Sequence, residues 1–159
     1  MTSRMTALLT PVLAVLLAGC SVTAGGGHDP VPSTFAGKPV TLQFDGGAAT
    51  ATLADTPEAR QLAAMLPATL DFKDVWGQAK SGRLPNALTV DGAVPVHDPV
   101  VGDIYFWPQT EVIAVYYDDL GQSVPAPGLI RLGAIDAGLD DLAAAGRRVT
   151  IRWDLADAG

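Results

Sequence analysis

The sequence contains little cysteine and few basic side chains. Cys20 is the only cysteine among 159 residues, so no intrachain disulfide can form. Ten Lys and Arg stand against 17 Asp and Glu, which gives a formal net charge of −7. Nucleic-acid binding needs clustered cations, and we therefore expect no nucleic-acid partner.

Glutamate is also scarce, since Glu58 and Glu111 are the only two and the other acids are all Asp. Asp favours turns and helix caps, whereas Glu favours helix interiors. The chain further contains 17 Gly and 12 Pro, which interrupt regular elements. This composition predicts one turn-rich domain of short elements and argues against long helices.

The apolar stretch near the N-terminus is too short to span a bilayer as a helix. Residues 7–19 form an uncharged run of 13 residues, whereas about 20 are needed. Arg4 precedes this run and small residues end it, as in a secretory signal peptide. Residues 17–20, Leu-Ala-Gly-Cys, resemble the lipobox of bacterial lipoproteins, in which the cysteine thiol receives a diacylglyceryl group and the signal is cut before it.

The lipobox resemblance implies a signal peptide over residues 1–19 and a lipidated Cys20. The partner would then be a membrane, with the protein anchored on its extracytoplasmic face in the cell envelope. The alternative for Cys20 is a free thiol in a protein core. Residues 21–33 carry almost no bulky apolar side chain, so a flexible linker is predicted over residues 20–37, before a folded domain over 38–155.

Alternating apolar and polar residues dominate the remainder of the chain. Residues 38–45 alternate, Gly46 and Gly47 follow, and a second alternating run ends at Leu53, which predicts a hairpin. Further strands are predicted from short runs bounded by Gly, Pro, Asn or Asp: 70–75, 87–90, 103–107, 112–117, 129–135 and 148–155.

Two short helices are predicted between these strands. Thr56 is an N-cap candidate before Pro57 and Glu58, and an apolar stripe continues to Pro67. Residues 139–145 have acids in the first turn and Gly146 just beyond the end. The order of elements predicts a mainly β protein, a closed barrel of about eight strands capped by two short helices.

Several segments resemble bacterial cyclophilin-like domains of uncharacterised function. They are residues 102–108 (Gly-Asp-Ile-Tyr-Phe-Trp-Pro), 112–117, 132–139, 62–67 and the pair Trp76-Gly77. Their order and spacing extend the resemblance over residues 38–153. It implies a cyclophilin-like β-barrel in which a peptide-binding pocket lies beside the strands that carry the aromatic residues.

The catalytic part of true cyclophilins has no match in this chain. Their proline isomerisation depends on an arginine in a Phe-x-Arg strand, and no Phe-x-Arg occurs here. Phe72 and Gln78 keep only the Phe…Gln spacing of that motif, and Leu129 or a neighbour stands near the position of the pocket histidine. Arg83 precedes Leu-Pro-Asn and is interpreted as a turn residue. We therefore predict no catalytic residue.

Neither a cofactor nor a metal site is predicted. His97 and Asp98 are adjacent and stand before Pro99, a context that favours a surface turn over a catalytic pair. The acidic pairs at 118–119 and 140–141 are chain neighbours whose side chains point in different directions, whereas metal binding needs converging ligands.

The aromatic residues are the main clue to a binding site. Five of the ten lie within 13 positions: Tyr105, Phe106, Trp107, Tyr116 and Tyr117. By resemblance to cyclophilins, the predicted ligand-binding residues are Trp107, Tyr116, Tyr117, Tyr105 and Trp76. The alternative is that the clustered aromatics only pack the barrel and its loops.

These observations predict a monomeric, membrane-anchored lipoprotein whose domain binds a peptide or a small apolar ligand without catalysis. One alternative is a divergent peptidyl-prolyl isomerase that acts on exported proteins. A second alternative is a structural or accessory envelope lipoprotein without a ligand pocket, which a filled groove would indicate.

The lipidation of Cys20 can be tested by fractionation. Wild-type protein should remain in the membrane pellet after a carbonate wash, whereas Cys20→Ala should be released, because two or more acyl chains anchor a protein stably. Equal retention of both proteins would show that the anchor is not at Cys20.

Overall fold

The computed structural model describes residues 37–156, and the predicted signal peptide and Cys20 lie outside these residues. This part of the chain contains nine strands and two helices. In chain order they are β1 (Lys38–Phe44), β2 (Gly47–Leu53), α1 (Pro57–Ala64), β3 (Ala68–Val75), β4 (Ala79–Arg83), β5 (Pro95–Val96), β6 (Asp103–Trp107), β7 (Val112–Tyr116), β8 (Leu129–Ala137), α2 (Leu139–Ala144) and β9 (Arg148–Leu155).

Eight of the nine described strands close into one antiparallel barrel. Hydrogen-bonded neighbours follow the order β2-β1-β9-β3-β4-β7-β6-β8, and β8 pairs back with β2. The two-residue β5 pairs with the beginning of β8 and lies outside this circuit. The structure therefore confirms the predicted mainly β fold, a closed barrel with two short helices.

The barrel interior is filled by every second side chain of its strands. Trp153 of β9 is completely buried, and its ring stacks on that of Phe72 at a centroid distance of 6.2 Å. Other fully buried side chains of this core belong to Leu42, Leu53, Ile104, Phe106, Ile113 and Leu132. An eight-stranded barrel has an interior just wide enough for side chains, so no internal ligand cavity is expected.

The β2–β8 pairing that closes the barrel depends on a close approach at Gly133. Gly133 lies opposite Leu53, and a β-carbon added to it would collide with the backbone carbonyl oxygen of Thr52. Any larger residue would therefore push β8 away from β2.

The first helix begins after its predicted N-cap Thr56, and the second begins at the predicted Leu139. The Thr56 hydroxyl accepts a hydrogen bond from the backbone N–H of Ala59 at 3.3 Å, and Pro57 opens α1. α2 follows Gly138, whose φ of +82° suits glycine. Leu62 of α1 and Leu142 of α2 are both buried in the barrel core. Within residues 37–156, no helix is long and apolar enough to cross a bilayer.

The strand predicted over residues 87–90 is wrong. This segment has no strand partner, although Leu88 is buried in the core. The side-chain amide of Gln61 donates to the carbonyl of Thr89 at 2.9 Å and accepts from its N–H at 2.9 Å. The Gln61 side chain therefore satisfies both backbone groups of Thr89, which needs no strand partner.

Two strands were not predicted at all, β4 and the short β5. Arg83, interpreted above as a turn residue, is the last residue of β4 and pairs with Val112 of β7. The strand consists of Ala, Lys, Ser, Gly and Arg, which have weak β propensity. Pairing with β3 on one side and β7 on the other overrides that propensity.

Candidate functional site

A groove lies on the outer face of the barrel, across the strands β9, β3, β4, β7 and β6. We call it the outer groove. Its cavity volume is about 750 Å³, within the usual range of small-molecule sites. It is lined by Asp71, Phe72, Lys73, Val75, Trp76, Gln78, Ala79, Ser81, Gly82, Arg83, Trp107, Thr110, Val112, Ala114, Tyr116, Arg148, Val149 and Thr150.

Small side chains form the floor of the outer groove. Ala79 and Ser81 of β4 alternate with Lys80, which is buried on the inner side. Ser81 pairs with Ala114 of β7, and all three small residues are buried. Larger residues at these positions would fill the space, so the small side chains of β4 and of Ala114 leave the groove open.

Aromatic side chains border the floor. Trp107 is half-buried at the end of β6, and Tyr116 is buried at the end of β7. The indole N–H of Trp107 is buried and makes no hydrogen bond within residues 37–156. Trp76 lies in the turn between β3 and β4, where it is 72 % exposed. Three of the five predicted ligand-binding aromatics thus line one groove.

The other two predicted aromatics lie elsewhere. Tyr105 is only 1 % exposed, and its ring meets that of Tyr116 edge to face at 5.6 Å. Its hydroxyl donates to Asp103 at 3.0 Å and accepts the N–H of Val100 at 3.0 Å. Burial raises the pKa of Tyr105 to about 12. Tyr105 therefore supports Tyr116 from behind and does not line the outer groove.

Tyr117 belongs to a partly buried ionic network at one end of the barrel. The centre of this network is Lys80, which is 1 % exposed and donates to Asp74 at 3.0 Å and to the carbonyl of Gly146 at 2.5 Å. The Tyr117 hydroxyl donates to the same Asp74 carboxylate at 2.5 Å, and its ring lies 5.4 Å from the Lys80 ammonium. The network joins β3, β4 and β7 to the segment after α2.

The protonation of this network follows from its contacts. The hydrogen bond from Tyr117 is the main reason that the pKa of Asp74 lies below its ordinary value, and Lys80 lowers it further. Burial, followed by the bond to Asp74, raises the pKa of Tyr117 to about 12. At neutral pH the network therefore holds a carboxylate and a neutral phenol.

The charged side chains that line the outer groove are mainly cationic. They are Lys73, Arg83 and Arg148, against the single acid Asp71. Asp71 accepts the hydroxyl of Thr150 at 2.6 Å. This excess of positive charge contrasts with the net charge of −7 for the whole chain.

Arg83, which the sequence analysis interprets as a turn residue, lies in this groove. Val112 separates it from Trp107, because β7 pairs with β4 on one side and with β6 on the other. Its guanidinium is exposed and donates to Glu111 at 2.9 Å. The guanidinium is thus already bound to an acid at the rim.

Lys73, Ser81 and Arg148 line the groove but were missed by the sequence analysis. The sequence could have indicated these residues through their positions on the outward faces of β3, β4 and β9. However, β4 was not predicted as a strand. Gln78, singled out only for its spacing from Phe72, is also in the lining. Recognising Lys73, Ser81 and Arg148 as neighbours requires the register of three strands.

The comparisons with known proteins address the fold. A family model described as the cyclophilin-like family matches residues 42–154. The chain belongs to this cyclophilin-like family. A solved structure, the solution structure of a hypothetical protein from Archaeoglobus fulgidus, is similar with a TM-score of 0.54 and 16 % identity, covering 79 % of this chain and 99 % of the other. No curated protein matches the sequence significantly.

In this cyclophilin-like domain, the outer groove offers surfaces for binding a ligand but few groups that could take part in catalysis. Within residues 37–156, no cluster of three or more His, Cys, Asp or Glu is placed to hold a metal ion. His97 lies outside the groove lining, and its Nδ1 atom is 2.8 Å from the carbonyl oxygen of Val124. The available functions are stacking on aromatic rings, hydrogen bonding and attraction of negative charge.

The Asp74 network predicts a specific acid response. Because the folded-state pKa of Asp74 is lowered, its contribution to stability is present above pH 4 and is lost as the pH falls through the folded value. Tyr117→Phe removes the main cause, so it should lower stability at pH 7 by about 1.5–3 kcal/mol and make the loss of stability below pH 4 shallower.

Urea denaturation of both proteins at pH 7 and at intervals below pH 4 measures this effect. Tyr116→Phe is the matched control, since the Tyr116 hydroxyl makes no hydrogen bond within the described residues and should leave the acid limb unchanged. The same acid dependence in wild type and Tyr117→Phe would contradict the assigned role of Tyr117.

Proposed function

We propose that the protein is a membrane-anchored lipoprotein whose cyclophilin-like domain binds an extended peptide or a small apolar ligand in the outer groove. The observation that carries this proposal is the meeting of Trp76, Trp107 and Tyr116 around a floor of small residues. The lipid on Cys20 would hold the domain on the extracytoplasmic face of the membrane.

The shape of the outer groove supports ligand binding over an accessory role. A protein that only packs its aromatics would fill the space between them, whereas here about 750 Å³ is left open. Aromatic walls around a concave surface with a few polar groups are typical of ligand sites. An apolar side chain of a peptide can lie on Ala79 and Ala114 and contact Trp107.

The conformation of Trp76 supports the same function. Its φ is +56°, in the left-handed region that bulky residues rarely adopt, and Gly77 follows at +71°. A non-glycine residue in this region costs about 1–2 kcal/mol. Trp76 also exposes most of its ring, so folding gains little from it. A ligand that covers the indole would recover this apolar area.

Binding can be measured with N-phenyl-1-naphthylamine, a neutral apolar fluorophore, on the full-length chain carrying Cys20→Ala. Trp107→Ala should weaken its binding at least tenfold, because the ring forms one wall of the groove. The same change should lower stability by less than the roughly 3–5 kcal/mol of a core Trp→Ala.

Trp107→Phe is the control for this experiment. The Trp107 indole N–H makes no hydrogen bond to the described residues, so Phe keeps an aromatic wall without breaking one. Trp107→Phe should retain most of the affinity for the fluorophore and most of the free energy of unfolding. A loss of 3–5 kcal/mol in Trp107→Ala, with unchanged fluorophore binding, would assign Trp107 to the core and favour the accessory alternative.

Peptidyl-prolyl isomerisation is the second candidate, and the position of Arg83 favours it. A guanidinium beside an aromatic groove could donate to the carbonyl of a twisting prolyl amide. However, Arg83 is exposed and paired with Glu111, so it is not preorganised towards the floor. Without a preorganised donor, a groove binds proline equally in its ground and transition states and does not accelerate rotation.

A protease-coupled peptide assay decides between binding and isomerisation. We expect no acceleration by wild type, and no difference between wild type and Arg83→Ala. Glu111→Gln, which removes the negative charge paired with the guanidinium but keeps the guanidinium itself, is the matched variant. Clear acceleration that disappears in Arg83→Ala would establish the isomerase instead.

A further inference from the structure

Two cations stand side by side at one wall of the outer groove. Lys73 of β3 and Arg148 of β9 are directly opposite each other in an antiparallel pair. Both are exposed and both line the groove. Among the described residues, neither has an acidic group within 4.0 Å, whereas five other cations each do.

Placing these two cations opposite each other lowers the stability of the folded protein. Like charges directly opposite on neighbouring strands repel each other. The nearest acid on the same face of the strand is Asp71, two residues from Lys73, and its carboxylate accepts the hydroxyl of Thr150. Although acids outnumber bases in the chain, no acid among residues 37–156 forms an ion pair with Lys73 or Arg148.

A polar floor residue extends the row of cations. Lys73 also pairs with Ser81 on its other side, so Arg148, Lys73 and Ser81 occupy one row across three strands, about 4.8 Å apart. Ser81 is 7 % exposed, and its hydroxyl makes no hydrogen bond within residues 37–156. Gln78, also 7 % exposed, is a second polar residue in the groove lining whose side chain makes no hydrogen bond to the described part of the chain.

We propose that the outer groove selects ligands that carry a carboxylate beside an apolar group, an inference that rests on the proposed binding function. Lys73 and Arg148 bind the carboxylate as cations, and the Ser81 hydroxyl donates to it. With Asp71 nearby, the row has a net charge near +1, which suits a monovalent carboxylate better than a dianionic phosphate. The apolar group lies on Ala114 against the aromatic wall.

The strand register also sets the size of the ligand. Three strand spacings, about 14 Å, separate the backbone of β3, which carries Lys73, from that of β6, which carries Trp107. A bare acetate cannot reach both walls. The C-terminal end of a peptide with apolar side chains, or a free acid with a ring, can contact both.

The test compares matched acids and amides on the full-length chain carrying Cys20→Ala, by calorimetry. The probes are 1-naphthaleneacetate with 1-naphthaleneacetamide, and an apolar hexapeptide with a free or an amidated C-terminus. We expect at least one acid to bind tenfold or more tightly than its amide, with the preference decreasing as salt increases. The pair that shows the preference identifies the source of the carboxylate.

Substitutions locate the preference. Lys73→Gln with Arg148→Gln should reduce acid binding to the level of the amide and leave amide binding unchanged, and Ser81→Ala should weaken acid binding severalfold. Arg147→Gln is the matched control, because it removes a charge beside Arg148 but outside the groove lining. An equal loss of acid binding in Arg147→Gln would show that the preference depends only on the net charge of the protein, and it would overturn the proposal.

The failures of the two proposals can be told apart. If wild type binds acid and amide equally, the groove is a ligand site without carboxylate selection, and only the present inference is wrong. If none of these probes nor the neutral fluorophore binds, the proposed function itself fails. Tighter binding of 1-naphthyl phosphate than of 1-naphthaleneacetate would show that the groove selects a phosphate, and it would overturn the proposed selection of a carboxylate.

Discussion

The pairing of β2 with β8 is the constraint on which the other features depend, because it closes eight strands into a barrel. Gly133 permits the approach, since any side chain there would meet the backbone of β2. Closure leaves an interior occupied by the buried side chains of Trp153, Phe72 and their neighbours. The groove that contains the predicted aromatics lies on the outer face.

β4 connects that surface to the stability of the barrel. Its outward residues Ala79 and Ser81 are too small to fill the outer groove, and they contribute little to sheet formation. Its inward residue Lys80 compensates by binding Asp74 and the Gly146 carbonyl. The inward side of β4 thus stabilises the strand, and its outward side forms the groove floor. The floor can therefore consist of small side chains although these contribute little to the stability of the sheet.

The chain as a whole is acidic, whereas the charged residues that line the outer groove are mainly cationic. An exposed charge acts over about 8–10 Å at physiological salt, so the net charge of −7 has little influence on a ligand already in the groove. The local set of Lys73, Arg83 and Arg148 dominates there. Arg83 is neutralised by Glu111, which leaves Lys73 and Arg148 as the pair that retains its attraction for an anion.

The sequence by itself determined the fold class, the hairpin, both helices and the cyclophilin-like resemblance, because these follow from local alternation, caps and motif order. It also selected Trp76, Trp107 and Tyr116, which the structure brings to one groove, but it grouped them with Tyr105 and Tyr117, which face elsewhere. Only the tertiary structure revealed β4 and the row of Arg148, Lys73 and Ser81. These residues are far apart in the chain, and they become neighbours through the register of three strands, which local propensity does not encode.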